Sequence, residues 1–367
     1  MPRGMRPDRW LFLCTLGLCV MGAVMVFSAS SVTALTQTGS AYGLFLRQMA
    51  ALVTGLCGMA ALSRMDYRLL RRPPVVITSL GVVLVLLLAV LLLDRAHATH
   101  RWMRLGPASL QPSEFAKLAA ILFLAWFLEP RVKPGGGGVN RVWETLVPAL
   151  APVVVLAALV VVEPDLGTSL MIVLVAGAMV FEAGLSLRLL AGAVAAALPV
   201  VYLLIARVPY RLNRFMAFLH PAQDPQGAGF QLLQSLIAVG SGGFFGVGLM
   251  ASRQKLFYLP EAPTDFIFAV LSEELGFIGA AAVVVLFGIY GWRGLRAALA
   301  APDDFGRMLA MGITFLVVGQ ALVNLSVVVG LLPTKGIPLP FISYGGSSLV
   351  VMLLATGILL NISQYAD

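Results

Sequence analysis

Residues 258–279 read YLPEAPTDFIFAVLSEELGFIG. Pro260 and Pro263 keep the approach extended, Thr264 offers an N-cap, and an apolar run opens at Phe266, so the pattern predicts a helix with Asp265 in its first turn. The run continues to about residue 290, long enough to cross a hydrocarbon core of roughly 30 Å. Four carboxylates, Glu261, Asp265, Glu273 and Glu274, fall in this stretch of a chain that has only 17 acidic residues. A charge at the bilayer centre costs about 2.5 kcal/mol or more, so each of them needs a partner or a water-filled cavity. Glu273 lies roughly 12 Å along the helix from Asp265 and about 80° round it, a position that can line the same cavity. Glu274 points to nearly the opposite side and is expected to pair with a neighbouring helix.

The rest of the chain has the same character. Of its 367 residues 59% are hydrophobic and 11% charged, which excludes an ordinary soluble domain. Apolar segments occupy about 11–29, 44–62, 75–93, 113–128, 143–162, 168–182, 189–206, 265–290, 308–331 and 344–362. Alternation at period two is absent, which argues against an outer-membrane barrel. The fold class expected is all-α: a polytopic membrane bundle of about ten transmembrane helices, one domain over 1–367, with a long external loop (about 207–264) before helix eight.

The first apolar run follows MPRGMRPDRW and imitates a signal peptide, but about 17 residues exceed the usual apolar region of roughly 7 to 15, so an uncleaved first span is expected. With a cytoplasmic N-terminus, the inner loops gather Arg64, Arg68, Arg71, Arg72, Arg131, Lys133, Arg141, Arg293, Arg296 and Arg307, in agreement with the positive-inside rule, and the C-terminus is cytoplasmic too. That topology and anionic headgroups account for the net charge of +8 better than nucleic acid does. Three further segments fall outside: 94–114, the long loop, and GLLPTKGIPLPFISYGGSS (330–348). They carry Arg95, Arg101, Arg104, Arg207, Arg211, Arg214, Arg253, Lys255 and Lys335, which are either solvated loop charges or a cationic surface that meets phosphate. The prolines and glycines around 332–343 suit a re-entrant or cleft-lining loop.

Other constellations have simpler readings. Glu163 and Asp165, around Pro164, suit a turn at a helix start. Glu114 and Lys117 are three apart on one helical face and read as an ion pair. His97 and His100 lack a third metal ligand, Gly135 to Gly138 read as a flexible linker, and Cys14, Cys19 and Cys57 lie in apolar runs as small hydrophobes. No Ser, His and Asp set appears in a suggestive motif.

NLSVVVGLLPTKGIPLPFISYGGSS (324–348) closely resembles the signature of the SEDS family (shape, elongation, division and sporulation). So do RWMRLGPASLQPSEFAK (101–117), EPDLGTS (163–169), FQLLQSLIAVGSGGFFGVGL (230–249) and the opening stretch, in order along nearly the whole chain. SASS (28–31), EPDLG, SRQKLFYLPEA (252–262) and LLPTKG resemble the division branch more than the rod-shape branch, while Pro263 departs from a common His. The resemblance implies a glycosyltransferase that polymerises the peptidoglycan precursor lipid II at the outer face of the cytoplasmic membrane. It further implies a class B penicillin-binding transpeptidase and other division or elongation proteins as partners, no nucleic acid and no organic cofactor. Asp265 matches the family's essential acidic residue. The candidate substrate-binding residues are Arg101, Arg211, Arg214, Arg253, Lys255, Lys335 and Ser343, with Glu273 and Lys117 behind Asp265. A divalent cation, Mg or Mn, is an alternative stabiliser of the leaving charge. A lipid II flippase and a division scaffold are the rival functions.

Overall fold

The computed structural model describes residues 7–38, 42–93, 101–105, 108–132, 138–221, 227, 229–256 and 258–365. Every one of the ten apolar segments is a helix: α1 (Arg9–Thr38), α2 (Gly43–Arg64), α3 (Pro73–Leu93), α4 (Pro112–Leu128), α5 (Val147–Val162), α6 (Leu166–Glu182), α7 (Leu187–Ala206), α10 (Ile267–Leu299), α11 (Asp304–Val328) and α12 (Gly346–Ser363). Eight of these are long and apolar enough to cross a membrane, α5 together with the turn before it; α4 and α6, at 17 residues each, are slightly shorter. The chain is a multi-pass membrane protein. The long loop is itself folded and adds α8 (Pro209–Leu219) and α9 (Phe230–Ser241). A short antiparallel ribbon, β1 (Met103–Leu105) with β2 (Ala108–Leu110), precedes α4. Arg95, His97, His100, Lys133 and Gly135 to Gly137 lie outside the described residues.

Burial grades inward to α12, whose faces pack on α2, α10, α11 and α4. Gly55 and Gly58 of α2 let that helix approach α12: a Cβ on either would meet a leucine methyl of α12 at 2.5 Å. α7 is the opposite case, with no buried residue in twenty and its main packing against α8.

At one end of the bundle the charges are paired. Arg68 with Asp303, Arg71 with Glu129, Arg293 with Asp8, and Arg307 with Glu182 tie helix ends and loops together. At the other end α4, α6, α8, α10 and α12 all begin.

α10 is broken at Gly276 (φ 64°, ψ −164°). The amides of Val247 and Gly248 donate to the carbonyls of Glu273 and Glu274 at 3.0 and 3.1 Å, and those of Phe277 and Ile278 donate to Gly243 and Phe244. Segment 243–248 thus satisfies the groups that the break frees, as a discontinuous helix in a membrane requires. Only glycine suits Gly276, because its φ is left-handed and a Cβ there would lie 2.3 Å from the Gly246 nitrogen.

Candidate functional site

The five helix starts surround a cavity of about 670 Å³. Its wall includes Gln111 and Glu114 from the start of α4, Asp165 to Thr168 at α6, Tyr210, Arg211 and Arg214 at α8, Glu261, Thr264 and Asp265 before α10, Thr334, Lys335, Gly336 and Pro338, and Gly345, Gly346 and Ser348 at α12. Each helix start contributes roughly half a positive charge through its unpaired amides. Arg101, Arg211, Arg214 and Lys335 add four formal positive charges to this wall. Against them stand Asp165, Glu261 and Asp265, since Glu114 is neutralised by Lys117 at 2.8 Å. The site is built to receive an anion beside a carboxylate.

Asp265 sits two residues ahead of α10, which starts at Ile267 with Phe266 as its N-cap. The sequence pattern placed it in the first turn behind a Thr264 cap. In the structure the Thr264 hydroxyl bonds to Glu261 instead, 2.9 Å from the carboxylate, so Asp265 is free to face the cavity. Its backbone is pinned: Asn324 Nδ2 donates both to the Asp265 carbonyl and to the Ile337 carbonyl, 2.8 Å each. A Cβ on Gly336 would lie 3.1 Å from Asp265 Oδ2, so the glycine lets the 334–338 loop close against the carboxylate. Among the described residues the Asp265 carboxylate accepts no hydrogen bond. Burial pushes it up to about 7 and Glu261 adds to the rise, against Arg214; Asp165 and Arg101 exert smaller opposed effects.

The cations differ in how they are held. Arg101 donates from Nε to the Glu163 carbonyl at 2.8 Å and from an outer nitrogen to Pro164, so it clamps the turn before α6. That turn is fixed as expected, with the Asp165 carboxylate capping the Thr168 amide at 3.0 Å. Glu163 is wholly buried, and burial then Asp165 push it up to about 8 against the pull of Arg101. Arg211 donates to the Leu204 carbonyl and Arg214 lies over the Tyr210 ring at 4.6 Å. Lys335 is held below the ordinary lysine range, by burial first and then by Arg211.

Five of the expected site residues are not in this wall. Lys255 is buried away from it, with Nζ 3.0 Å from Glu274 and 3.1 Å from the Ser28 hydroxyl. Arg253 is exposed, and its amide donates to Glu273 at 3.1 Å. Glu273 does not share the Asp265 cavity: its carboxylate accepts from the Ser252 hydroxyl and the amides of Arg253 and Gln254. The shared reason is that two adjacent carboxylates on α10 draw the 250–255 loop onto the helix and consume its donors and its lysine. Ser343 spends its hydroxyl on backbone, donating to the Thr264 carbonyl at 2.5 Å and accepting from the Leu339 amide. It shapes the approach to Asp265 instead of facing substrate. Lys117 lies behind the wall, bridging Glu114 and Gln320 at 2.9 and 2.8 Å, and Gln320 donates to the Pro338 carbonyl. Glu274 pairs across helices as expected, accepting from Ser28 of α1 at 2.6 Å.

Sequence reasoning missed Trp102, Gln111, Thr334 and Ser348 in the wall, and Asn324 and Gln320 behind it. The last two carry a readable signal: polar amides four residues apart within the apolar α11 share one face. Among the described residues no three His, Cys, Asp or Glu side chains come together as a metal-ligand group.

The family model described as "Cell cycle protein", which groups FtsW, RodA and SpoVE, matches residues 9–367. The chain is 43% identical to a protein of Trichlorobacter lovleyi named "Probable peptidoglycan glycosyltransferase FtsW", covering 97% of this chain and 93% of that one. It is equally 43% identical to the stage V sporulation protein E of Bacillus subtilis, covering 98% of each. Among solved structures it resembles a chain of a peptidoglycan synthase complex that coordinates polymerisation and crosslinking (TM-score 0.79, 32% identity, 99% of this chain and 100% of that one). It also resembles the rod shape determining protein RodA of Thermus thermophilus (TM-score 0.71, 29% identity, 100% and 99%).

Proposed function

Because the chain belongs to the FtsW, RodA and SpoVE family of cell cycle proteins, we propose that it is a peptidoglycan glycosyltransferase that polymerises lipid II, acting in septal synthesis. The observation that carries the reading is Asp265: a carboxylate with no hydrogen-bond donor among the described residues, held near 7, in a cavity ringed by helix starts and cations. A group that must take a proton near neutral pH is best poised there.

Asp265 accepts the proton of the acceptor sugar 4-hydroxyl as that oxygen attacks the anomeric carbon of the donor. The new C–O bond forms as the bond to the lipid diphosphate breaks, and the bonding pair leaves with the diphosphate, inverting the anomeric centre. The departing charge is stabilised by Arg211, Arg214, Lys335 and the helix starts. Arg101, already committed to two carbonyls, shapes the wall. Ile205, Val208 and Phe215 give the α7–α8 corner an apolar flank suited to a polyprenyl chain. No step is assigned to a metal.

The paired-charge end, rich in arginine, is placed in the cytoplasm with both termini, which sets the cavity at the outer face of the cytoplasmic membrane. By likeness to the synthase complex the chain acts with a class B penicillin-binding transpeptidase among other division proteins. The 43% identity to FtsW-named proteins against 29% to RodA favours septal synthesis over elongation. Purified protein in nanodiscs, given labelled lipid II and its transpeptidase, is expected to produce glycan ladders on a gel. Transbilayer movement of lipid II in liposomes without any ladder would replace this reading with a flippase.

A further inference from the structure

The amino end of α12, one of the helix starts invoked above, also carries a hydroxyl that the polymerisation chemistry does not use. Its N-cap is Gly345, which has no side chain to cap with, and Gly346, Ser347 and Ser348 follow as the first turn. Their amides have no intrahelical acceptor. The Gly345 amide is taken by Gln48 Oε1 at 3.2 Å, and the Ser347 hydroxyl is taken by the Gln111 amide and the Ser109 carbonyl. The Ser348 hydroxyl has no partner among the described residues, although the residue is only 7% exposed and lines the cavity. Thr334, across the cavity wall, is the same: 7% exposed, lining it, and without a hydrogen-bond partner among the described residues. Both hydroxyls open onto the cavity from otherwise buried residues, so two of them without a protein partner on one wall mark where a ligand can complete the bonding. The same wall holds Lys335 and the glycines 336, 345 and 346, and the glycines put no side chain in the way of a close approach.

We propose that the α12 amino turn, with the Ser348 and Thr334 hydroxyls and Lys335, is the subsite for the diphosphate of the glycosyl donor. The inference rests on the glycosyltransferase reading. Amides at a helix start and hydroxyls both donate to phosphate oxygens, and an uncapped start leaves its amides for the ligand. The choice of donor over acceptor follows from distance. The reacting hydroxyl and anomeric carbon approach to about 3–3.5 Å, so the donor's diphosphate, bonded to that carbon, must lie beside Asp265. The Thr334–Gly336 loop that carries half of the cradle is the one that closes on Asp265. The acceptor's reacting hydroxyl is separated from its own diphosphate by the disaccharide, which puts that group elsewhere.

The test measures binding of a polyprenyl diphosphate and of the matching polyprenyl alcohol to the full chain in nanodiscs, alongside lipid II polymerisation. Ser348→Ala and Thr334→Val are each expected to weaken diphosphate binding about tenfold, the factor carried by ~1.4 kcal/mol of charge-assisted hydrogen bonding, with alcohol binding unchanged. Ser348→Thr, which keeps the hydroxyl, is expected to bind as wild type does and so separates loss of the donor from misfolding. Asp265→Asn is expected to bind the diphosphate and not polymerise. Wild-type diphosphate affinity in the Ser348→Ala, Thr334→Val double variant would overturn the subsite while leaving the glycosyltransferase reading intact. A wild type that binds the diphosphate through these hydroxyls yet never polymerises would support the subsite and sink the reading instead.

Discussion

Asp265 at about 7 makes the acid limb of the rate profile a direct readout of the site. The carboxylate is the active form, so activity rises with pH. A group of that pKa is about half ionised at pH 7, one tenth at pH 6 and nine tenths at pH 8, so polymerisation should be about fivefold slower at pH 6 than at pH 7 and nearly doubled at pH 8. After burial, Glu261 is the largest contributor to the rise. Glu261→Gln removes one partly exposed neighbouring charge, worth about one pH unit. The acid limb then moves toward 6, and the ionised fraction at pH 6 grows about fivefold. A weaker base gives back part of that gain, leaving a rate at pH 6 of about three times wild type. The assay is initial-rate lipid II polymerisation in nanodiscs from pH 5.5 to 8.5 at saturating substrate. A flat profile between pH 6 and 8, or a Glu261→Gln profile that overlays wild type, would refute the assignment of the limb to Asp265.

Other perturbations test the scaffold. Lys255→Met strands Glu274 as a buried charge and should cost about 3–5 kcal/mol, read as a lower melting temperature; adding Glu274→Gln should recover most of it, because the loss reflects an unpaired ion. Gly276→Ala forces a Cβ against the Gly246 backbone at a left-handed φ and should cost more than about 3 kcal/mol, whereas Gly288→Ala, in open space on the same helix, should melt like wild type. Asp265→Asn should raise stability at pH 8. The folded state holds the Asp265 proton more tightly than the unfolded chain, so the native carboxyl is progressively penalised as pH climbs from about 4 through 7. Discounted for partial exposure, the gain is about 1–2 kcal/mol at pH 8 and should vanish near pH 4.

The helices were legible because a 20-residue apolar run has few alternatives in a membrane, and all ten segments became helices. Glu114 with Lys117, and Asp165 at the start of α6, were equally readable, since their partners lie within one turn. The basic residues were not. Arg211, Arg214, Arg253, Lys255 and Lys335 look alike in a list of external cations, yet Lys255 belongs to Glu274 and Ser28, which lies 227 residues away. The break at Gly276 decides this. It frees the Glu273 and Glu274 carbonyls for the Val247 and Gly248 amides, which brings the following 250–255 loop against their carboxylates, and nothing in the spacing of an unbroken helix announces it. The cavity wall was hidden for a related reason. Thr334 in a loop and Ser348 in the first turn of α12 are ordinary hydroxyl residues until five helix starts converge around the cavity.

The central claim is that Asp265 takes the acceptor proton in a glycosyl transfer. The most direct measurement compares wild type and Asp265→Asn in nanodiscs with the cognate transpeptidase, recording lipid II affinity and glycan chain formation on the same preparations. The expected result is unchanged affinity with chain formation lost by at least about 100-fold in the variant, the lower range of general-base catalysis. Chains made by Asp265→Asn at a rate near wild type would contradict the claim.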